Sequence, residues 1–305
     1  MNASLRLLAL LLPLSLGLPT RASANADDAE PFLGGTVAEA GWHAGPLLAS
    51  DDFDDASSLD AWVLQVQPPV KPGAPEGRVA VIDGRLDLKL PGVGATAWYA
   101  EPFAGPVAVS YRVTLPSAGT DRPRLEPRDV NTFVHATAPP PLEPGDLLTD
   151  PCFTGWFRTY HPIRGYYAST GGGRNTTTRM RVYPRSLLPE DPDKGAGEPL
   201  RHVALVGRDG DPGFLLEPDR DFRVQVVAAD GLVQYSVDGR VVYEIRPGGE
   251  LTVQPADGDE SNIERAAYDD SIPVHRGGYA GIRAVMTHQR IDGFRVWRLK
   301  RRGAD

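Results

Sequence analysis

The stretch Val107, Val109, Tyr111, Val113, Leu115 places an apolar side chain at every second position over nine residues, and a helix of 3.6 residues per turn cannot hold such a run on one face. It predicts a long core strand. Val79 to Ile82 and Arg85 to Leu90 flank the turn pair Asp83-Gly84, which predicts a hairpin. Its second arm should turn Leu86, Leu88 and Leu90 inward and leave Arg85, Asp87 and Lys89 in water. Phe222, Val224, Val226 and Ala228 lead through Asp230-Gly231 into Val233, Tyr235 and Val237, and Asp238-Gly239 then leads into Val241, Tyr243 and Ile245. That spacing predicts a three-strand meander. Ile282, Ala284 and Met286, then Ile291 through Leu299, should close the sheet. No window of a dozen residues carries a helical stripe or helix caps. Glycine and proline number 33 and 29 in 305 residues, about a fifth of the chain and well above their usual share. The expectation is an all-β domain of two packed antiparallel sheets.

Charge narrows the partners. Against 32 Lys and Arg stand 40 Asp and Glu, which works against a broad grip on phosphate backbones or anionic lipid; nucleic acid is not expected as a partner. Leu7 to Leu18 is an apolar run preceded by Arg6 and followed by Ala22-Ser23-Ala24, the order of a secretory signal. The run is too short, and too interrupted by Pro13 and Gly17, for a membrane span. The organisation expected is a signal peptide over 1–24, a leader over 25–50 and the β domain over 51–305, exported to the periplasm or the extracellular space. Cys152 is the single cysteine, so neither an internal disulfide nor a Cys-based metal site can form. No cofactor is expected, although the Asp51 to Asp55 cluster is compatible with a structural Ca²⁺ held by loop oxygens.

Gly277-Gly278-Tyr279-Ala280-Gly281-Ile282-Arg283, followed by Ile291-Asp292-Gly293-Phe294-Arg295-Val296, resembles the last two strands of the concanavalin A-like lectin and glucanase superfamily. Asn131-Thr132-Phe133-Val134-His135-Ala136, Tyr166-Tyr167 and Gly171-Gly172-Gly173-Arg174-Asn175-Thr176-Thr177-Thr178-Arg179 look like a secreted branch of it that accompanies polysaccharide-degrading systems. The resemblance spans most of the chain after the signal segment. It implies a jelly-roll sandwich in which one bowed sheet forms a sugar groove, with a polysaccharide or oligosaccharide as partner. One departure matters: the glucanase strand motif Glu-x-Asp-x-x-Glu is missing, and retaining hydrolysis needs two closely spaced carboxyl groups.

Parity along the strands picks out the site candidates. Val130, Val134 and Ala136 fall on one side, which sets Asn131, Phe133 and His135 on the other. An aromatic platform beside two polar groups suits a sugar, and the plainer alternative is a solvated face with an incidental Phe. From Asn175 to Tyr183 the same test puts Asn175, Thr177, Arg179, Arg181 and Tyr183 together. Arginine's planar fork pairs with a carboxylate, so this strand could bind a uronic acid, or it could be an ordinary charged surface. Trp156, Tyr160, His161, Tyr166 and Tyr167 crowd a short segment just upstream; the tyrosines could equally be core aromatics. Tyr and His are also the acid and base of β-elimination. The leading reading is a lyase with His135 and Tyr167 as base and acid in either order. Asn131, Phe133, Tyr166, Asn175, Arg179 and Arg181 would bind the substrate. The rivals are a non-catalytic carbohydrate-binding module and a glycoside hydrolase.

Overall fold

The computed structural model of the chain describes residues 30–117, 125–184, 202–206, 215–254, 264–270 and 272–303. The expected signal segment lies outside them. In chain order the strands are β1 (Trp42–Asp51), β2 (Trp62–Val66), β3 (Arg78–Ile82), β4 (Arg85–Lys89), β5 (Gly94–Tyr99), β6 (Phe103–Ala104), β7 (Val107–Thr114), β8 (Val130–Thr137) and β9 (Arg164–Gly171). They continue with β10 (Thr177–Tyr183), β11 (His202–Val206), β12 (Asp221–Ala229), β13 (Leu232–Val237), β14 (Arg240–Ile245), β15 (Glu250–Gln254), β16 (Glu264–Ala267), β17 (Gly277–Val285) and β18 (His288–Arg301). The smaller sheet runs β14-β13-β12-β7-β18-β4-β3, with β1 also on β18; the larger runs β16-β15-β11-β10-β9-β8-β17-β5-β2, with β6 also on β17. Every pairing is antiparallel. This is the antiparallel β-sandwich the alternation predicts, with the jelly-roll architecture that the resemblance implies. Part of the stretch read as a leader belongs to it, since β1 pairs with β18 from Trp42 to Asp51.

The main core lies between the sheets. Val107, Val109, Tyr111, Val113 and Leu115 are all buried there with Leu86, Leu88 and Leu90, facing Val130, Val134, Ala168, Met180, Val182 and Ile282 of the larger sheet. Three tyrosines of the smaller sheet cross this layer. Tyr111 Oη lies 2.8 Å from Thr132 Oγ1, Tyr235 Oη lies 2.7 Å from Thr170 Oγ1, and the Tyr243 hydroxyl donates to the Arg179 carbonyl at 3.0 Å. Each hydroxyl thus finds a partner, which a buried polar tip needs, and the three bonds fix β8, β9 and β10 against the sheet below.

A second apolar cluster occupies the opposite face of the larger sheet. Trp98, Phe133, Tyr167 and Tyr183 pack there beneath Leu147, Phe153, Tyr160 and Ile163. The cover is the segment 138–163, which carries a short helix (Asp146–Thr149) and a 3-10 turn at Phe157–Tyr160. Buried Gln65 on β2 anchors it: its Nε2 donates to the Leu147 carbonyl, and its Oε1 accepts from Trp98 Nε1 and from the Tyr160 hydroxyl. The expectation of a wet face on the Asp83-Gly84 hairpin needs one correction. Asp87 is buried, because His288 Nε2 and Arg78 reach its carboxylate at 2.8 and 3.2 Å. Burial opposes ionisation, but those two partners outweigh it and hold the carboxyl below its usual range.

Two glycines carry constraints that a side chain would break. Gly278 sits at φ 140°, and a Cβ there would stand 2.4 Å from the Ala136 carbonyl oxygen. Gly84, at φ 68° on the hairpin tip, has nothing within 4 Å. We expect Gly278→Ala to cost at least about 2 kcal/mol of stability and Gly84→Ala about 1 kcal/mol. Urea unfolding of the two variants checks the difference.

Candidate functional site

The register of the larger sheet lines up two rows of residues across its outer face. Arg181 pairs with Tyr167, Tyr167 with Phe133, Phe133 with Gly281, and Gly281 with Trp98. One step along the strands, Arg179 pairs with Ser169, Ser169 with Asn131, Asn131 with Arg283, and Arg283 with Thr96. Side chains on paired positions project to the same side. Asn131, Phe133, Tyr167, Arg179 and Arg181 therefore share one face. Arg283, which the sequence reading passed over, joins them.

His135 does not. Its pairing slips between Val134 and Thr137 on the β9 side and opposite Tyr279 and Gly281 on the β17 side, and His135 itself has φ 54°. This is a β-bulge, which shifts the alternation by one residue. Ala136 consequently enters the outer cluster while Val130 and Val134 stay in the main core. The bulge is framed by Gly165 and Gly278, at φ 135° and 140°, on the two neighbouring strands. The His135 ring is buried with Nδ1 and Nε2 at 3.0 and 3.1 Å from the carbonyl oxygens of His275 and Gly105. Both ring nitrogens are turned to main-chain carbonyls, so neither is open to a substrate proton. Burial pushes its pKa down, against the pull of the two carbonyls.

Tyr166 also lies elsewhere, as parity requires of a neighbour of Tyr167. It is buried in the core between the sheets, and its hydroxyl accepts from the His275 amide at 2.9 Å. Asn175 sits in the turn before β10, where its carboxamide both donates to and accepts from the Leu216 backbone at 2.8 and 2.9 Å. That tie fixes a loop rather than facing the two rows. Phe133 is on the outer face but has no exposed surface; its ring packs against Trp98 and Tyr167 with centroids 4.9 and 4.6 Å apart. It supports the site from beneath and offers no open platform. Gly281 makes the Trp98 contact achievable, since a Cβ there would fall 2.4 Å from the indole.

What the two rows gather is positive charge. Arg181 is 7% exposed and Arg283 2%, yet neither forms a salt bridge among the described residues, and the Nε of each lacks a hydrogen-bond partner. Arg283 Nη2 donates to the Gly155 carbonyl at 3.4 Å. Both also make aromatic contacts. Both guanidinium carbons lie 4.9 Å from the Phe157 ring centroid, Arg181 is also 5.2 Å from Tyr167, and Arg283 is 6.0 Å from Tyr160. Cation–π contacts of this kind return about 0.5–2 kcal/mol each, less than burying an unpaired ion costs. Nearby, Asn131 gives its Nδ2 to the Asp129 and Arg283 carbonyls while its buried Oδ1 has no hydrogen-bond partner among the described residues. The site thus presents unspent donors on two cations and one unspent acceptor.

Tyr167 lies among them. Desolvation pushes its hydroxyl up to about 12, although Arg283 and Arg181 pull the other way and Asp129 adds to the rise. The Asp129 carboxylate is held by Arg128 Nε at 2.7 Å. No carboxylate occurs in either row. His288 and Arg290 are on the smaller sheet, bonded to Asp87 and Asp83. Asp51 accepts from the Phe53 amide and Trp62 Nε1, Asp52 from Arg295, and Asp55 from Ser57. Those acids serve turns and ion pairs, and no group of three or more His, Cys, Asp or Glu that could hold a metal gathers among the described residues.

A jelly-roll sandwich with a cationic, aromatic outer face defines the class. Residues 91–252 match the model of a family described as Domain of unknown function (DUF6250), more than half of the chain, and the chain belongs to that family. No curated protein matches it in sequence. Among solved structures it is similar to a protein of unknown function with a galectin-like fold from Bacillus subtilis, at TM-score 0.57 and 18% identity over 86% of this chain and 100% of that one. It is also similar to the catalytic domain of PdAgaC, at TM-score 0.50 and 11% identity over 93% and 100% of the two chains. These likenesses concern the fold. No helix among the described residues is long and apolar enough to cross a membrane.

Buried His135 and half-buried His275 generate a prediction. Burial lowers His275 to about 4, with the Tyr183 carbonyl opposing the shift, and lowers His135 in the same direction. Folded protein then binds fewer protons than unfolded protein between about pH 4 and 6.5, so stability is full above that window and falls as pH drops through it. The slope should approach about 1.4 kcal/mol per pH unit for each histidine, and His275→Gln should flatten it. Urea midpoints from pH 7 to 4.5 measure this.

Proposed function

We propose that the chain binds a uronate-containing polysaccharide or oligosaccharide on the outer face of its larger sheet, with Arg181 and Arg283 receiving the sugar carboxylate. The observation that carries the reading is two buried guanidinium groups, each with an unsatisfied Nε–H and no carboxylate partner among the described residues. An anion bound there would replace cation–π contacts with charge-assisted hydrogen bonds, the stronger interaction. Asn131 Oδ1 would accept a sugar hydroxyl. Trp156, 40% exposed on the covering turn, offers an aromatic surface at the rim. Resemblance to the lectin and glucanase sandwiches supports a saccharide over other carboxylates. The signal-like order of residues 1–24 supports export, to where such glycans occur.

Lyase chemistry is the second reading, favoured by Tyr167 lying between carboxylate-neutralising arginines. A hydroxyl pushed up to about 12 is protonated at neutral pH, which suits proton donation to a leaving oxygen but leaves the base to be found. His135 cannot supply it from the far side of the bulge. A hydrolase has still less support, given two rows without a carboxyl group.

Calorimetric titration with oligosaccharides of glucuronate, galacturonate and mannuronate should give saturable binding to at least one, lost when its carboxylates are methyl-esterified. Arg181→Gln should weaken that binding by about tenfold or more while unfolding cooperatively. Equal affinity for acid and ester would defeat the proposal. Absorbance of the unsaturated product, followed in the same mixtures, separates the readings: binding without a rise leaves a binding module.

A further inference from the structure

We infer that Phe157 occupies the anion site in the unliganded protein and must swing aside for a carboxylate to reach Arg181 and Arg283. This rests on the proposed function and specifies how the site is regulated. Both guanidinium groups stand 4.9 Å from the Phe157 ring centroid, so they lie no further apart than twice that distance, with this ring as their shared neighbour. Their strands are three pairings apart, β10 to β17 by way of β9 and β8. Long side chains have converged on one aromatic. Its π face, negative by its quadrupole, gives the two cations the attraction that a carboxylate would otherwise supply.

The local anatomy allows the ring to leave without unfolding the cover. Gly155 is fixed on one side, its amide bonded to the Tyr160 hydroxyl at 3.1 Å and its backbone so close to β2 that a Cβ would meet the Gln65 carbonyl oxygen at 2.4 Å. Tyr160 is fixed on the other by its 2.6 Å bond to Gln65 Oε1. Only Trp156 to Thr159 lie between these anchors, and they form a single turn closed by Thr159 Oγ1 donating to the Trp156 carbonyl at 2.7 Å. Trp156 and Arg158 on it are exposed, and Phe157 is half-buried. A rotamer change of Phe157 uncovers both arginines while Gln65 keeps the rest of the cover in place. Leaving costs the ring its side-chain packing on His161 and Tyr167, with centroids 5.1 and 5.9 Å away, and no backbone bond, so the ring competes with a ligand at equilibrium.

A competitor that is removed leaves a tighter site. The uronate oligosaccharides, titrated into the full chain, should bind Phe157→Ala about tenfold more tightly than the wild type, and their methyl esters should bind neither. The gain should vanish in the Phe157→Ala, Arg181→Gln double variant. Phe157→Leu, which keeps apolar bulk without the ring quadrupole, should fall between and guards against misfolding of the alanine variant. If the acid oligosaccharides bind the wild type but Phe157→Ala and Phe157→Leu bind equally well or more weakly, Phe157 is part of the binding surface and the inference is overturned while the anion site stands. If no variant binds, the anionic-saccharide reading itself fails and this inference falls with it.

Discussion

The strand register of the larger sheet is the constraint on which everything else rests. A one-residue slip in any of β10, β9, β8 or β17 would send its outward residues into the core. Arg181, Tyr167 and Phe133 meet because their positions pair directly, and Arg179, Ser169, Asn131 and Arg283 meet one step along. The register is enforced from below by the tyrosines that cross the sandwich to Thr132, Thr170 and the Arg179 carbonyl. It is enforced from above by the cover that Gln65 holds on β2. Fold and site are therefore one problem: the core that stabilises the sandwich also sets which side chains face outward.

The outer face would be cheaper to build without its arginines. Two buried cations without a carboxylate partner among the described residues cost stability that nearby aromatic rings only partly offset. A chain selected for stability alone would place apolar residues at 181 and 283, continuing the Trp98, Phe133 and Tyr167 cluster. Their presence where the fold does not need them is the physical reason for reading the face as a binding site. Asn131 has the same character, with a carboxamide used on one side and idle on the other.

Period-two patterning made most of the fold legible. The apolar positions of the runs at 107–115, 222–228 and 233–237 keep their side and fall in or beside β7, β12 and β13; in β14 a slip opposite Tyr235 and Ser236 turns Val242 instead of Val241 to the core beside Tyr243 and Ile245. Parity also placed Asn131, Phe133, Arg179 and Arg181 on a common side, because β8 up to Val134 and all of β10 pair with β9 without a slip. It failed at His135, where an extra residue enters β8. Nothing in Val134-His135-Ala136 marks a bulge, and the signals sit on other strands, at Gly165 and Gly278. Burial was harder still to see. Phe133 reads as an open platform until the segment 138–163 folds over it, and a Pro-rich stretch gives no period from which that docking could be read. Arg283 was within reach, as Ala280, Ile282 and Ala284 are core positions and the residue between the last two must face the other way.

The most direct test of the anion site follows the arginine side chains themselves. In ¹⁵N-labelled protein, the Nε–H resonances of Arg181 and Arg283, assigned by substitution, report whether those protons acquire an acceptor. Addition of a bound uronate oligosaccharide should move both downfield to saturation and slow their exchange with water, and the methyl ester should move neither. Saturable binding that leaves both resonances unmoved would place the ligand elsewhere and contradict the site described.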